Sequence, residues 1–271
     1  MRRGFVESGM LVSLAQIAAV VAIGVPLIAY LAQDRLIFMP TPPLSEARRA
    51  AAAAEEIFHE AQDGTRLHAW HLKGASDAPL VLYFGGNAED VSWMIDQARR
   101  RAPGSRWLLV DYRGYGSSGG SPSEKALLAD GLAWYDLATQ KLNAQDVFVF
   151  GRSLGSGVAV RVAAERPVAG VILVAPFDSM VEVGKHHYPL LPVNWLLRHR
   201  FESAARAPEI SAPMLCLVAE RDQVIPAARS RRLYEAWAGP KRWVQLDGAG
   251  HNSTDGAPLF WDHIRRFIAG G

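Results

Sequence analysis

The pentapeptide Gly151-Arg152-Ser153-Leu154-Gly155 constrains this chain more than any other stretch. It follows the apolar run Val147-Phe148-Val149-Phe150, which reads as a buried strand, and Gly155 to Val160 beyond it reads as a helix. A chain that passes from strand to helix this quickly must turn sharply at Ser153. Glycine on either side removes the side chains that would clash there. Such a turn lifts the serine Oγ above a sheet edge, and the new helix points free N–H groups at the same place. The alternative is a plain turn with a helix-capping serine, which the flanking context disfavours.

The rest of the chain repeats this alternation. Residues 57–61 and 67–72 are strand-like and flank Asp63-Gly64, a hairpin signal. Residues 80–84, 107–110, 171–174, 214–218 and 243–246 are further short apolar runs. Residues 88–101, 123–141, 227–237 and 257–268 show helical spacing, with Ser123 as an N-cap. The pattern predicts an α/β protein with a mostly parallel central sheet and helices on both faces. Residues 178–210 interrupt it. They carry Pro189, Pro192 and Pro208 and read as a long, irregular cap insertion. The apolar residues of this cap, Leu191 and Trp195 among them, would line an acyl pocket or else only pack the cap on the core, and Lys185, Arg198 and Arg200 could instead face anionic headgroups.

A serine hydroxyl needs a base before it becomes a useful nucleophile. Of the 8 histidines, His251 is best placed, in a loop that follows a strand and lets its ring reach over the sheet edge. The base in turn needs an acid to fix its tautomer. Asp222 lies in the loop after residues 214–218, and the order Ser153, Asp222, His251 suits a strand-by-strand delivery of the three groups. Asp178 and Glu220 are the rival acids. For a developing oxyanion, the expected donors are the N–H of Leu154 and that of Asn87, with Gly86 second to Asn87.

The N-terminal part obeys a different rule. Met10 to Ala32 carries no charged residue. As a helix it measures about 35 Å, enough to cross a hydrocarbon core of about 30 Å. This favours a single membrane-spanning anchor over a cleaved signal peptide or a buried core helix. Residues 1–9 are then a short tail, 10–32 the anchor, 33–53 a connector, and 54–271 the folded domain. Arg2 and Arg3 precede the run, but Arg35, Arg48 and Arg49 follow it, so charge alone does not orient it. The expectation is a catalytic domain on the non-cytoplasmic side.

Charge excludes other classes of function. Lys+Arg is 29 against Asp+Glu 27, a balance that gives no basis for nucleic-acid binding. The only cysteine, Cys216, sits in an apolar run and reads as core. No Cys/His cluster has metal-ligand spacing, so neither metal nor cofactor is expected.

Together these residues resemble the α/β-hydrolase superfamily over roughly residues 54–271. Within it the chain is similar to a single-span, membrane-anchored branch related to protein depalmitoylases and serine-aminopeptidase-like proteins. The resemblance rests on Gly86-Asn87-Ala88-Glu89-Asp90, residues 111–116, residues 151–155, Asp222, Gly250-His251-Asn252 and the segment Leu36-Ile37-Phe38-Met39-Pro40. One departure is Gly85-Gly86, where the family usually has His-Gly. The resemblance implies cleavage of an ester or thioester of a small-molecule or lipid acyl substrate. A serine peptidase and a non-catalytic binding module on the same fold are the alternatives.

Overall fold

A computed structural model describes the backbone of residues 2–270, and the side chains of these except 2–15, 17–19 and 51. The chain opens with one long helix, α1 (Arg2–Ile37), and a short one, α2 (Glu46–Ala52), capped by Ser45. A hairpin, β1 (Glu55–Glu60) and β2 (Arg66–Leu72), turns at Asp63-Gly64, where Gly64 takes a positive φ of 80°. There follow β3 (Leu80–Phe84), α3 (Trp93–Arg101), β4 (Arg106–Asp111), α4 (Glu124–Gln140), β5 (Val147–Arg152), α5 (Leu154–Glu165) and β6 (Gly170–Val174). The cap supplies α6 (Met180–His187), α7 (Val193–Leu196) and α8 (Ser203–Arg206). The chain closes with β7 (Met214–Ala219), α9 (Ala227–Ala236), β8 (Lys241–Leu246) and α10 (Phe260–Ile268).

The strands form one eight-stranded sheet in the order β1-β2-β4-β3-β5-β6-β7-β8. β2 runs antiparallel to both its neighbours, and every other pair is parallel. Strands β3, β4, β6 and β7 are buried along their whole length, as a sheet covered on both faces requires. Met94 and Ile95 of α3 and Ile264 of α10 pack on one face. Trp134 of α4, Val158 of α5 and Leu233 of α9 pack on the other. Cys216 lies in this core, where burial pushes its thiol pKa up.

Three expectations need correction. Residues 33–37 are not connector but the last turns of α1, because Gln33 and Asp34 find partners on the domain. The Ala-rich end of the expected connector contains a short helix, α2. The helix expected from residue 88 starts only at Trp93, since Ala88 takes a φ of 57° that no helix accepts. The expected tail over residues 1–9 lies outside the described side chains.

The cap is also more regular than its prolines suggest, with three short helices and a 3-10 turn over Ala207–Glu209. Ser179 caps α6 by accepting the Glu182 N–H. The Glu124 carboxylate, at the start of α4, accepts the N–H groups of Arg200 and Phe201 and so ties the cap down. Three of its basic residues, each about 40% exposed, have acidic partners within the protein. Lys185 pairs with Glu182, Arg198 with Asp34 and Arg200 with Glu202.

Among the described residues, α1 is the one helix long and apolar enough to cross a membrane. Val20, Ile23, Ile28 and Leu31 on it are exposed, which removes the core-helix reading.

Candidate active site

Ser153 stands between the last residue of β5 and the first of α5, at φ 50° and ψ −117°. A non-glycine residue there is strained by about 1–3 kcal/mol and needs a rigid surround. Its own N–H donates to the Val174 carbonyl on β6 at 2.9 Å. Its flanking glycines are required by contact. A Cβ on Gly151 would lie 2.4 Å from the Gly155 carbonyl oxygen, and one on Gly155 would lie 2.1 Å from that of Phe84. The helix therefore crosses directly against β3, and only hydrogen fits between them.

His251 arrives in the loop after β8, and Asp222 in the loop after β7. The His251 Nε2 is 2.9 Å from Ser153 Oγ. The His251 Nδ1 is 2.8 and 3.0 Å from the two Asp222 carboxylate oxygens. Asp222 Oδ1 also accepts the N–H groups of Val224 and Ile225 at 2.9 and 2.8 Å, which fixes the carboxylate against rotation. The serine hydroxyl donates to a ring nitrogen whose other nitrogen donates to a buried carboxylate. That arrangement fixes the tautomer a general base needs.

The rival acids are engaged elsewhere. Asp178 accepts the Ser179 N–H and pairs with Arg229 at 3.2 Å, and burial pushes its carboxyl pKa up. Glu220 accepts the Gly248 N–H and so shapes the loop that carries His251.

Leu154 and Asn87 line the same cavity as Ser153. Neither backbone N–H donates to a backbone carbonyl among the described residues. Gly86, the second choice, gives its N–H to Glu89 Oε2 at 2.6 Å and is therefore occupied. The side chain of Asn87 is used too. Its Oδ1 accepts the Met39 N–H and the Tyr115 hydroxyl, and its Nδ2 donates to the Ile37 carbonyl.

Sequence reasoning did not find what holds this loop. The Glu89 carboxylate accepts from Gly86 N–H, Tyr83 hydroxyl (2.5 Å), Trp93 Nε1 (2.9 Å) and Arg152 Nη1 (3.0 Å). Burial, and then the Glu89 charge, push the Tyr83 pKa well up, so this phenol stays a donor. Arg152 also donates to the His251 carbonyl, so one largely buried ion pair joins the serine turn, the Gly86–Asn87 loop and the histidine loop. The unusual Gly85 belongs to the same arrangement. Its carbonyl accepts the Tyr112 hydroxyl, and a Cβ there would lie 2.9 Å from Val91. The available signal was Arg152 itself, a charged residue inside an otherwise small-residue turn.

A cavity of about 460 Å³ opens above Ser153, with mostly apolar walls. Phe177 and Ile225 border it from the core side, and Met180, Leu191 and Leu197 from the cap. Ala29, Gln33, Leu36 and Ile37 of α1 form a further wall. Trp195, expected in the pocket, instead points outward and is 88% exposed.

Among the described residues no cluster of His, Cys, Asp or Glu is arranged to hold a metal ion.

Comparison with known proteins agrees with this architecture. The family model described as serine aminopeptidase S33 matches residues 75–205. The chain is 40% identical to an uncharacterized protein, Rv2307c of Mycobacterium tuberculosis, over 93% of its own length and 92% of the relative's. It is 33% identical to the lysophosphatidylserine lipase ABHD12 of Danio rerio over 64% of this chain, spanning about half (51%) of that longer protein. Among solved structures, the Pyrococcus furiosus esterase Pf2001 superposes with a TM-score of 0.65 at 18% identity, covering 86% of this chain and 98% of the esterase. With this strand order, the family match and a relative aligned over nearly its full length, the chain belongs to the α/β-hydrolase superfamily.

Proposed function

We propose that this hydrolase cleaves a carboxylic ester or thioester of an acyl substrate through an acyl-enzyme on Ser153. The observation that carries the reading is the continuous line from Ser153 Oγ through His251 to Asp222, at 2.9 and 2.8 Å. Ser153 Oγ attacks the acyl carbonyl carbon while its proton passes to His251 Nε2. The carbonyl oxygen becomes an oxyanion held by the N–H groups of Leu154 and Asn87. His251 then gives its proton to the departing alcohol or thiol. In the second half a water attacks the acyl carbon, its proton goes to His251, and Ser153 leaves with that proton as the acid is released.

A carboxylate would favour a substrate amine, and among the described residues none lines this cavity. Apolar walls and a largely uncharged lining favour an acyl chain instead. A non-catalytic module has no need of a strained serine aligned with a base and an acid.

We further propose that α1 anchors the chain in a membrane as a single span, with the catalytic domain on the non-cytoplasmic side. Its exposed apolar surface supports the anchor. A protease added to sealed vesicles of known orientation tests the side: the proposal expects cleavage only from the non-cytoplasmic face.

A fluorophosphonate probe tests the chemistry. The wild-type chain is expected to be labelled and to hydrolyse p-nitrophenyl esters, and Ser153→Ala to do neither while melting at the same temperature. Retained turnover in that variant would remove Ser153 from the mechanism.

A further inference from the structure

We infer that α1 is part of the substrate site, and that the small side chain of Ala29 on it lets the enzyme accept long acyl chains. The inference rests on the ester-hydrolase reading above and deepens it. It extends the helix's role from anchoring the domain to shaping its specificity.

Ala29, Gln33, Leu36 and Ile37 all border the cavity above Ser153. Their spacing of four, three and one places them on a single helix face. The wall they form runs about 12 Å along the helix axis. Ile28 and Leu31, on the other side of the same turns, are 67% and 69% exposed. One face of these turns therefore meets the cavity, while the other is free to meet lipid.

The helix is fastened in this position rather than resting against the domain. Gln33, only 5% exposed, accepts the Arg198 N–H with its Oε1 and donates to the Leu196 carbonyl with its Nε2. Asp34 accepts from Arg198 and His199 at 2.9 and 2.6 Å. Phe38 is buried with its ring against His199. Just beyond, the Asn87 amide holds the Ile37 carbonyl and the Met39 N–H. These bonds fix the distance between the reacting serine and the helix.

Ala29 is the smallest wall residue on α1 and the farthest along it from the Asn87 tie. An alanine leaves room for the end of an acyl chain to run past it, into the apolar surroundings of the helix. The substrate class that suits such a wall is a lipid-borne acyl ester or thioester with a chain longer than the cavity's inner end holds. Filling the space at residue 29 should exclude terminal methylenes of a long chain and leave a short chain's contacts near Ser153 in place.

The test compares kcat/KM for p-nitrophenyl esters from acetate to palmitate, using the full chain in detergent micelles. For Ala29→Phe the ratio of long-chain to short-chain kcat/KM is expected to fall, by roughly fourfold for each methylene excluded and so by tenfold or more in total. Ala29→Val should give a smaller fall of the same sign, which keeps the test decisive if the larger residue prevents folding. Leu31→Phe, on the outward face, should keep the wild-type profile. An unchanged ratio in both Ala29 variants, or an equal fall in Leu31→Phe, overturns the inference while the hydrolase reading stands. Failure of the wild-type chain to turn over any ester overturns both.

Discussion

Replacing Glu89 with Gln tests the ion pair that joins the three functional loops. The change keeps the shape but turns one oxygen into an NH₂ group. Each Glu89 oxygen now accepts two donors, Tyr83 and Trp93 on Oε1, Gly86 and Arg152 on Oε2. Whichever way the amide turns, one pair of donors faces another donor, and the largely buried Arg152 loses its paired carboxylate. Breaking one side of a buried ion pair costs about 3–5 kcal/mol. In a domain of this size each kcal/mol moves the melting temperature by about 2–4 °C, so a fall of about 10 °C is expected. The Gly86–Asn87 loop should also drift, and kcat should fall by about 10²-fold, the lower range for loss of an oxyanion donor. Both are read on the full chain in detergent, by thermal unfolding and by p-nitrophenyl butyrate turnover. Arg152→Met on the Glu89→Gln background removes the stranded charge and should recover part of the stability but not the turnover. Strictly additive stability losses in the double variant would refute a coupled pair.

Other consequences are open to equally direct tests. Asp222→Asn should lower kcat by about 10⁴-fold, whereas Asp178→Asn should act mainly on stability, because Asp178 pairs with Arg229 and not with His251; the reverse ranking in ester turnover would misplace the acid. Gly155→Ala should fail to reach the native fold, since its Cβ would stand 2.1 Å from the Phe84 oxygen; a normally folded, active variant would contradict that contact. The full chain should stay in the membrane fraction through an alkaline carbonate wash, and its release as a shortened form would replace the anchor with a cleaved signal.

What was legible in the sequence follows from how local each feature is. The turn at Ser153 is written in five consecutive residues and their flanks, and its glycines are fixed by contacts with adjacent backbone. The two loops that deliver Asp222 and His251 each follow a short apolar strand, so chain order alone placed them at one end of the sheet. Features that depend on distant partners stayed hidden. Gln33 is uncharged and sits at the end of an apolar run, and its partner Arg198 lies 165 residues away. Glu89 and Arg152 look like ordinary surface charges until the fold buries them together, 63 residues apart in sequence. The start of α3 was misjudged because Ala88, a strong helix former, is held at positive φ by the loop it belongs to. The acidic partners of Lys185, Arg198 and Arg200, on α6, α1 and the α7–α8 loop, were likewise not apparent as neighbours.

The central claim is that an acyl group passes through Ser153. The direct measurement is to quench the full chain with acid during turnover of a p-nitrophenyl ester, digest it, and weigh the peptides. The account predicts one peptide, the one containing Ser153, heavier by the acyl group, with the adduct absent in Ser153→Ala. An adduct on another residue, or turnover in the Ser153→Ala chain at the wild-type rate, would contradict it.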